Sequence, residues 1–460
     1  MIVMKFGGTS TQDAAAIKNV VDIIKSQIQK QPIIVISAIA QATNMLEKAA
    51  KLASENKTQE ANVNIEQLLN RHITIINEII KDSSRSQELI DFVEISMSEL
   101  KEIIKGISIL SELTPRTLDA VYCYGELLSS KIVQAALEES GVHSQWIDTK
   151  DFMITDENFT RVLPIIPIVE KRLKHIIAPL INDGIVPVTQ GFIGCTLSNR
   201  RTTMGRESSD YSASIIGAVL NVSDIQIWTD VDGILTADPT IVSKPKKIKT
   251  LSFEEAYELS YFGAKVLHPN TMLPAIDKNI PIHIYNSRRP HTSGTLVTTY
   301  NANEQSIVKS IAYKKDVMLI SVKPKRRFGQ YLFWEHIHNT LTKFNVIVNL
   351  STTSNYNYSF VIDSKSPIDS IKQELEDVGI IEVCNNKGIV CLVGSKITNV
   401  DNIFNRIFKV ASDTKIEMIS SGASSSNIAF VIDNGKIPET VRRIHSEFFD
   451  NINDNTFEEL

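Results

Sequence analysis

The sequence predicts an α/β protein: an open, mainly parallel sheet covered by helices on both faces, followed by two small βαββαβ (ferredoxin-like) units. Two observations carry this reading. Over the first three hundred residues, strand-like and helix-like segments alternate, and the strands are near-continuous apolar runs such as "PIIVISAIA". Such runs mark strands buried on both faces of a parallel sheet. Beyond residue 300 the texture changes to short strands and amphipathic helices. There "VIVNLSTTSNYNYSFVID" and "KIEMISSGASSSNIAFVID" share a strand, a Ser-rich turn and a second strand ending in Val-Ile-Asp, the sign of an internal repeat.

Taken in order, "IVMKF" reads as a strand, 14–29 as a helix, and "PIIVISAIA" as the next strand. From about 43 to 125 the pattern is helical for most of its length. Both "NIEQLLNRHITIINEIIKD" and "QELIDFVEISMSELKEIIKGI" repeat apolar residues at three and four, and such stripes are core faces. Further strands are expected at "SQWID", "GIVPVTQGF", "IQIWTDV" and "IPIHIYN", and "TTYNANEQSIV" reads as a linker. The resulting division is 1–300 with a helical insertion, 305–385, and 386–460.

Composition narrows the function. With 43% hydrophobic residues, 22% charged residues and a net charge of −5, the 460-residue chain has no basic footprint for nucleic acid. The short runs "KPKKIK" and "KPKRR" read as solvated loops. Cys123, Cys195, Cys384 and Cys391 form neither a disulfide framework nor a zinc pattern, so no protein metal site is expected. "MIVMKFGG" has no signal-peptide core, and the longest apolar stretch falls far short of a membrane span. The chain therefore reads as cytoplasmic.

Four stretches carry candidate chemistry. In "KFGGTS", Gly7 and Gly8 let the backbone approach a ligand with exposed N–H groups while Lys5 aims a charge at the same place; a plain strand-turn is the alternative. No Walker loop and no G-x-G-x-x-G occurs anywhere. In "TTMGRESSDYSASIIGAVL", a helix entered through Ser208, Ser209 and Asp210 favours anions, and Arg206 offers a fork for a carboxylate. An ordinary N-cap beside a surface arginine is the alternative there. "IWTDVDGILTADPT" ends a strand at Thr229 and Asp230, where open α/β sheets bind ligands. "AYELSYFGAKVLHP" places Lys265 near a helix end, as a phosphate contact or as dipole compensation.

Together with "GELLSS" and "QGFIG", and in this order, these stretches resemble the aspartate kinases of the amino-acid kinase superfamily. The tail resembles that family's second regulatory ACT domain. The resemblance covers essentially the whole chain and implies a monofunctional enzyme transferring the γ-phosphoryl of Mg-ATP to the β-carboxylate of L-aspartate. That is the first step towards lysine, threonine and methionine. By motif match, Lys5 would stabilise the transferring phosphoryl, with Gly7 and Gly8 supplying N–H donors. Arg206 would clamp the α-carboxylate and Glu126 would pair with the ammonium. Ser37, Thr43 and Ser209 would line the pocket, and Asp210 would orient Lys5 and the substrate. Thr229, Asp230 and Lys265 would hold the nucleotide, which brings Mg2+. The ACT units imply an amino-acid effector and a homodimer or dimer of dimers.

Departures from the pattern stand at Asn199, Leu235 and Thr240, where the family often has glycine, an aromatic and arginine. Asn199 is expected to keep its turn, since asparagine tolerates positive φ. The other two point to altered ATP contacts. Asn349 and Asn355 stand where lysine-sensitive relatives tend to carry acids, which leaves the effector open.

Overall fold

A computed structural model describes residues 1–205, 208–263, 269–299, 307–325, 330–354, 357–450 and 456–459. The chain packs as two compact units, Met1–Ile234 with Val266–Tyr300, and Leu235–Lys265 with Asn301–Leu460.

The first unit is built on strands β1 (Ile2–Phe6), β2 (Pro32–Ile36), β3 (Ser144–Ile147), β4 (Val186–Gln190), β5 (Asp224–Thr229), β6 (Ile282–Asn286) and β7 (Thr295–Thr298). Their order is β7-β6-β5-β1-β2-β4-β3, and only the β6–β7 pair is antiparallel. Every residue of β1, β2 and β4 is buried, which is why these strands read as unbroken apolar runs rather than alternating ones. The register sets Phe6 beside both Ile36 and Trp228, and Ile36 beside Gln190. Four adjacent strands therefore end at one level, and their carboxyl ends form a common rim.

Helix α1 (Ala14–Ser26) is capped by Asp13, whose carboxylate accepts from the Ala16 N–H at 2.8 Å. The helical insertion consists of α2 (Ala42–Ser54), α3 (Thr58–Ile79), α4 (Ser83–Leu110) and α5 (Pro115–Glu139). Helix α5 starts on a Thr114 cap with proline in its first turn and runs through "GELLSS" to Glu139, beyond residue 125. The apolar stripes do face a core: Leu68, Ile75, Leu100 and Ile104 cluster with Ile34 and Ile36 of β2. After α6 (Ile166–Asn182), a small sheet of 154–155, 193–196 and 201–203 leads into α7 (Ser209–Leu220). Asn199 turns its hairpin at φ 60°, so the left-handed conformation expected there is adopted.

The second unit carries β8 (Ser310–Pro324), β9 (Val348–Thr353), β10 (Tyr358–Asp363), β11 (Gly379–Val393), β12 (Met418–Ser421) and β13 (Asn427–Asp433). All pair antiparallel in the order β9-β10-β8-β11-β13-β12. The two repeats do not lie end to end. Strands β8 and β11 each span 15 residues, with a register break between Lys314 and Val317. Residues 317–324 open the first repeat and 379–384 close it. The second repeat opens at 387–393, and 310–314, from ahead of the first repeat, fills the place of its last strand.

The repeat extends to polar residues beside that break. Lys314 reaches Asn349 at 2.7 Å and Asp363 at 3.1 Å. Lys387 reaches Glu417 at 3.2 Å and Asp433 at 2.5 Å in the second copy.

Reading along the chain places 235–265 with the first 300 residues; in the structure it packs with the C-terminal part. A fully buried ion pair anchors it, Lys309 Nζ to Glu255 Oε2 at 2.9 Å. Glu255 also closes a capping box with Ser252 at the start of the helix Phe253–Tyr261. Among the described residues, no helix is long and apolar enough to cross a membrane.

Candidate active site

Most of the sequence-predicted residues converge on the rim where β1, β2, β4 and β5 end. Lys5, one residue from the end of β1, is buried to 9% exposure and pairs with Asp210 in the first turn of α7, Nζ to Oδ1 at 2.6 Å. At the entry to that helix, Ser208 makes no side-chain cap. Its hydroxyl donates back to the Gly205 carbonyl at 2.7 Å. Among the described residues no side-chain cap is made at the start of α7, and a helix N-terminus of this kind suits an anion arriving beside Lys5.

Gly7 and Gly8 follow directly. The Gly7 N–H donates to the Trp228 carbonyl at 3.1 Å, and the Gly8 carbonyl accepts from the Ala40 N–H at 3.0 Å. A Cβ on Gly8 would lie 2.7 Å from the Ala38 carbonyl oxygen, a distance no side chain tolerates against backbone. Glycine is needed here so that the loop after β1 and the loop after β2 can touch.

Helix α5 brings Glu126 to the same loops. The approach is tight, since a Cβ on Gly125 would sit 2.8 Å from that of Ala38 and 3.9 Å from the Thr43 hydroxyl. Glu126 Oε1 accepts from the Ala38 N–H at 3.1 Å, while Oε2 is buried and makes no hydrogen bond among the described residues. Burial pushes its carboxyl up to about 8, offset in part by the Ala38 N–H and the nearby Lys5 ammonium. Ser37 follows β2, its N–H donating to the Phe6 carbonyl at 3.1 Å and its own carbonyl accepting from Ser129 Oγ at 2.8 Å. Ser209 is buried against Gly191, directly after β4.

On the other side, Thr229 ends β5 with its carbonyl accepting from the Ser287 N–H at 2.8 Å, and its hydroxyl donates to exposed Asp230 at 3.3 Å. Ser10 and Ser287, which the sequence reading did not single out, join the two sides through a 2.8 Å contact between their hydroxyls. Ser10 sits inside "KFGGTS", so its signal was present; Ser287 had none.

Arg206, Lys265 and Asn355 lie outside the described residues. Leu235 and Thr240 belong to the second unit, where Leu235 bridges to Lys247 and Thr240 bonds Asp238 at 2.6 Å through its hydroxyl.

A lysine held by an aspartate at a helix N-terminus, over a glycine turn at the carboxyl ends of parallel strands, is an anion site. A family model described as the amino acid kinase family matches residues 1–286, and an ACT domain model matches 390–448. Aspartokinase 1 of Arabidopsis thaliana, a chloroplast protein, is 33% identical across 97% of this chain and 80% of its own length. The chain belongs to the aspartokinases. Among solved structures, Escherichia coli aspartokinase III with aspartate and ADP (R-state) matches with a TM-score of 0.87 at 30% identity, over 98% of this chain and 100% of that one. The same enzyme with lysine and aspartate (T-state) matches at 0.80 and 31%, with the same coverage. The described candidate site residues lie on the first unit, and the ACT-type repeats lie on the second.

Proposed function

We propose that the chain phosphorylates L-aspartate on its β-carboxylate with Mg-ATP, using the rim around Lys5 as the transfer site. The Lys5–Asp210 pair is the observation that carries this reading. An aspartate carboxylate, with an ordinary pKa of about 3.9, is ionised at neutral pH and needs no general base. The obstacle is charge: two anions must meet, and negative charge on the transferring group must be stabilised.

Lys5 supplies a buried point charge, and Asp210 fixes where that charge sits. The Gly7 N–H expected to serve here is already taken by the Trp228 carbonyl, so the backbone donors around Lys5 come from Gly8 and the first turn of α7. On the acceptor side, Glu126 offers an unpaired carboxylate oxygen to the substrate ammonium, and Ser37, Thr43 and Ser209 line the pocket. Arg206 takes the α-carboxylate. Thr229, Asp230 and Lys265 hold the nucleotide.

Among the described residues no cluster of three or more His, Cys, Asp or Glu side chains can hold a metal ion. A Mg2+ ion brought with the nucleotide would be held mainly by its phosphates and water. Bound there, the ion neutralises phosphate charge.

The test is hydroxamate formation from L-aspartate and ATP, alone and with lysine or threonine added. Aspartate-dependent acyl phosphate is expected. Saturable amino-acid binding with no acyl phosphate would overturn the kinase in favour of a sensor. In the same assay, a weak response to lysine is expected. Asn349, whose equivalent in the second copy is Glu417, gives a ligand amine no carboxylate and is already bonded to Lys314.

The ACT unit also supports a homodimer. Its sheet ends in β9 and β12, each with a single hydrogen-bonded neighbour strand among the described residues. Tyr331, Leu332 and Ile347 are 80%, 63% and 68% exposed; open edges and exposed apolar side chains favour pairing. Light scattering should return at least twice the monomer mass, and a monomer at every concentration would remove the proposal.

A further inference from the structure

Helix α3 of the insertion meets the loops around the site through an arginine. Arg71 lies on α3, one position before buried His72, and is itself half-buried. Its guanidinium points away from the helical core. One terminal nitrogen donates to the carbonyl of Ala40, and the other to the carbonyl of Gln12 at 2.9 Å. Ala40 belongs to the loop after β2, which carries Ser37 and the Ala38 N–H that holds Glu126. Gln12 caps the short turn Gly8–Thr11, which completes the glycine loop after Lys5.

The two loops also touch directly, through the Ala40 N–H and the Gly8 carbonyl. That contact is one hydrogen bond, about which two loops can still pivot. A planar guanidinium with donors fixed in a fork adds a second, rigid link a few residues away. The two carbonyls are neutral, so the arginine is not tied up in an ion pair with either loop. A lysine in its place has one compact donor group and cannot span both carbonyls in a fixed geometry.

We propose that Arg71 is a positioning residue for phosphoryl transfer, setting the separation between the glycine loop on the phosphate side and the Ser37–Ala40 loop on the acceptor side. This rests on the phosphoryl-transfer reading above and adds a residue to it. Arg71 touches neither substrate. Its effect comes through the distance between the loops, and a misplacement of about 1 Å between reacting groups costs up to about 10²-fold in rate.

The experiment compares wild type, Arg71→Ala and Arg71→Lys by steady-state aspartate phosphorylation and thermal unfolding, with and without low millimolar guanidinium ion. The expected result is a kcat of Arg71→Ala lowered about 10- to 100-fold. Added guanidinium ion restores part of it, and Arg71→Lys recovers less than the free ion does. A kcat of Arg71→Ala within about twofold of wild type overturns the proposal. So does a lowered kcat that guanidinium leaves unchanged while Tm falls, since that pattern is loss of packing alone. If the wild type itself forms no acyl phosphate, the phosphoryl-transfer reading fails first, so the two failures remain separable.

Discussion

Replacing Lys5 with alanine is expected to lower kcat for aspartate phosphorylation by at least about 10²- to 10³-fold, the loss usual when one preorganised charge at a developing anion is removed. The cause is positional. Lys5 sits on a strand with every residue buried, 2.6 Å from Asp210, and has little freedom to be elsewhere. Lys5→Arg is expected to recover little, because a planar fork does not replace a compact ammonium pinned by one carboxylate. The measurement is kcat by hydroxamate formation at saturating ATP and aspartate, with Tm followed alongside. Removing Lys5 also strands the Asp210 carboxylate, so some loss of Tm is expected. A Lys5→Ala protein with kcat within about tenfold of wild type would remove Lys5 from the transfer step.

Glu126 should make aspartate binding depend steeply on pH. With its carboxyl held up to about 8, the free protein carries a proton there at neutral pH. Forming an ion pair with the substrate ammonium requires that proton to leave. KM for aspartate is therefore expected to rise about tenfold for each pH unit lowered below about 8. Glu126→Gln should raise KM at high pH and flatten this slope. A wild-type KM unchanged between mildly acidic and mildly alkaline pH would sink the assignment.

Stability gives an independent check. The folded-state pKa lies above the unfolded value, so the unfolded chain sheds its proton first as pH rises. Between about 4.5 and about 8, burial of Glu126 should cost the wild type increasing stability, by at most about 1.4 kcal/mol per pH unit. Above the folded pKa the cost is complete, and below the unfolded pKa it is absent. Urea titrations should thus find Glu126→Gln gaining on wild type as pH rises through that window.

The parts of the site legible in the sequence are those whose chemistry is local. "KFGGTS" could be read as a strand with a charge at its end and a glycine turn, because strand, turn and charge lie within seven residues. The α7 entry was legible for the same reason. Thr229 and Asp230 were legible because a strand end is itself a position. Glu126 was reached only through the resemblance, since nothing around an acid in the middle of a helix says that Ala38 will meet it. Arg71 had no signal at all. It lies beside the apolar stripe of α3, where an arginine usually points to solvent, and its partners are two backbone carbonyls. Carbonyls have no letter in the sequence.

By itself, then, the sequence determined the α/β class, the helical block, the internal repeat and the family, because periodicity and contiguous motifs are properties of neighbouring residues. Tertiary structure alone decided three things. It set the pairing of Lys5 with Asp210, 205 residues apart by position, at one rim. It moved 235–265 into the second unit through the buried Lys309–Glu255 pair. And it nested one repeat inside the other, because two 15-residue strands were long enough to serve both. Each rests on a contact between distant segments, and such contacts exist only once the chain has closed on itself.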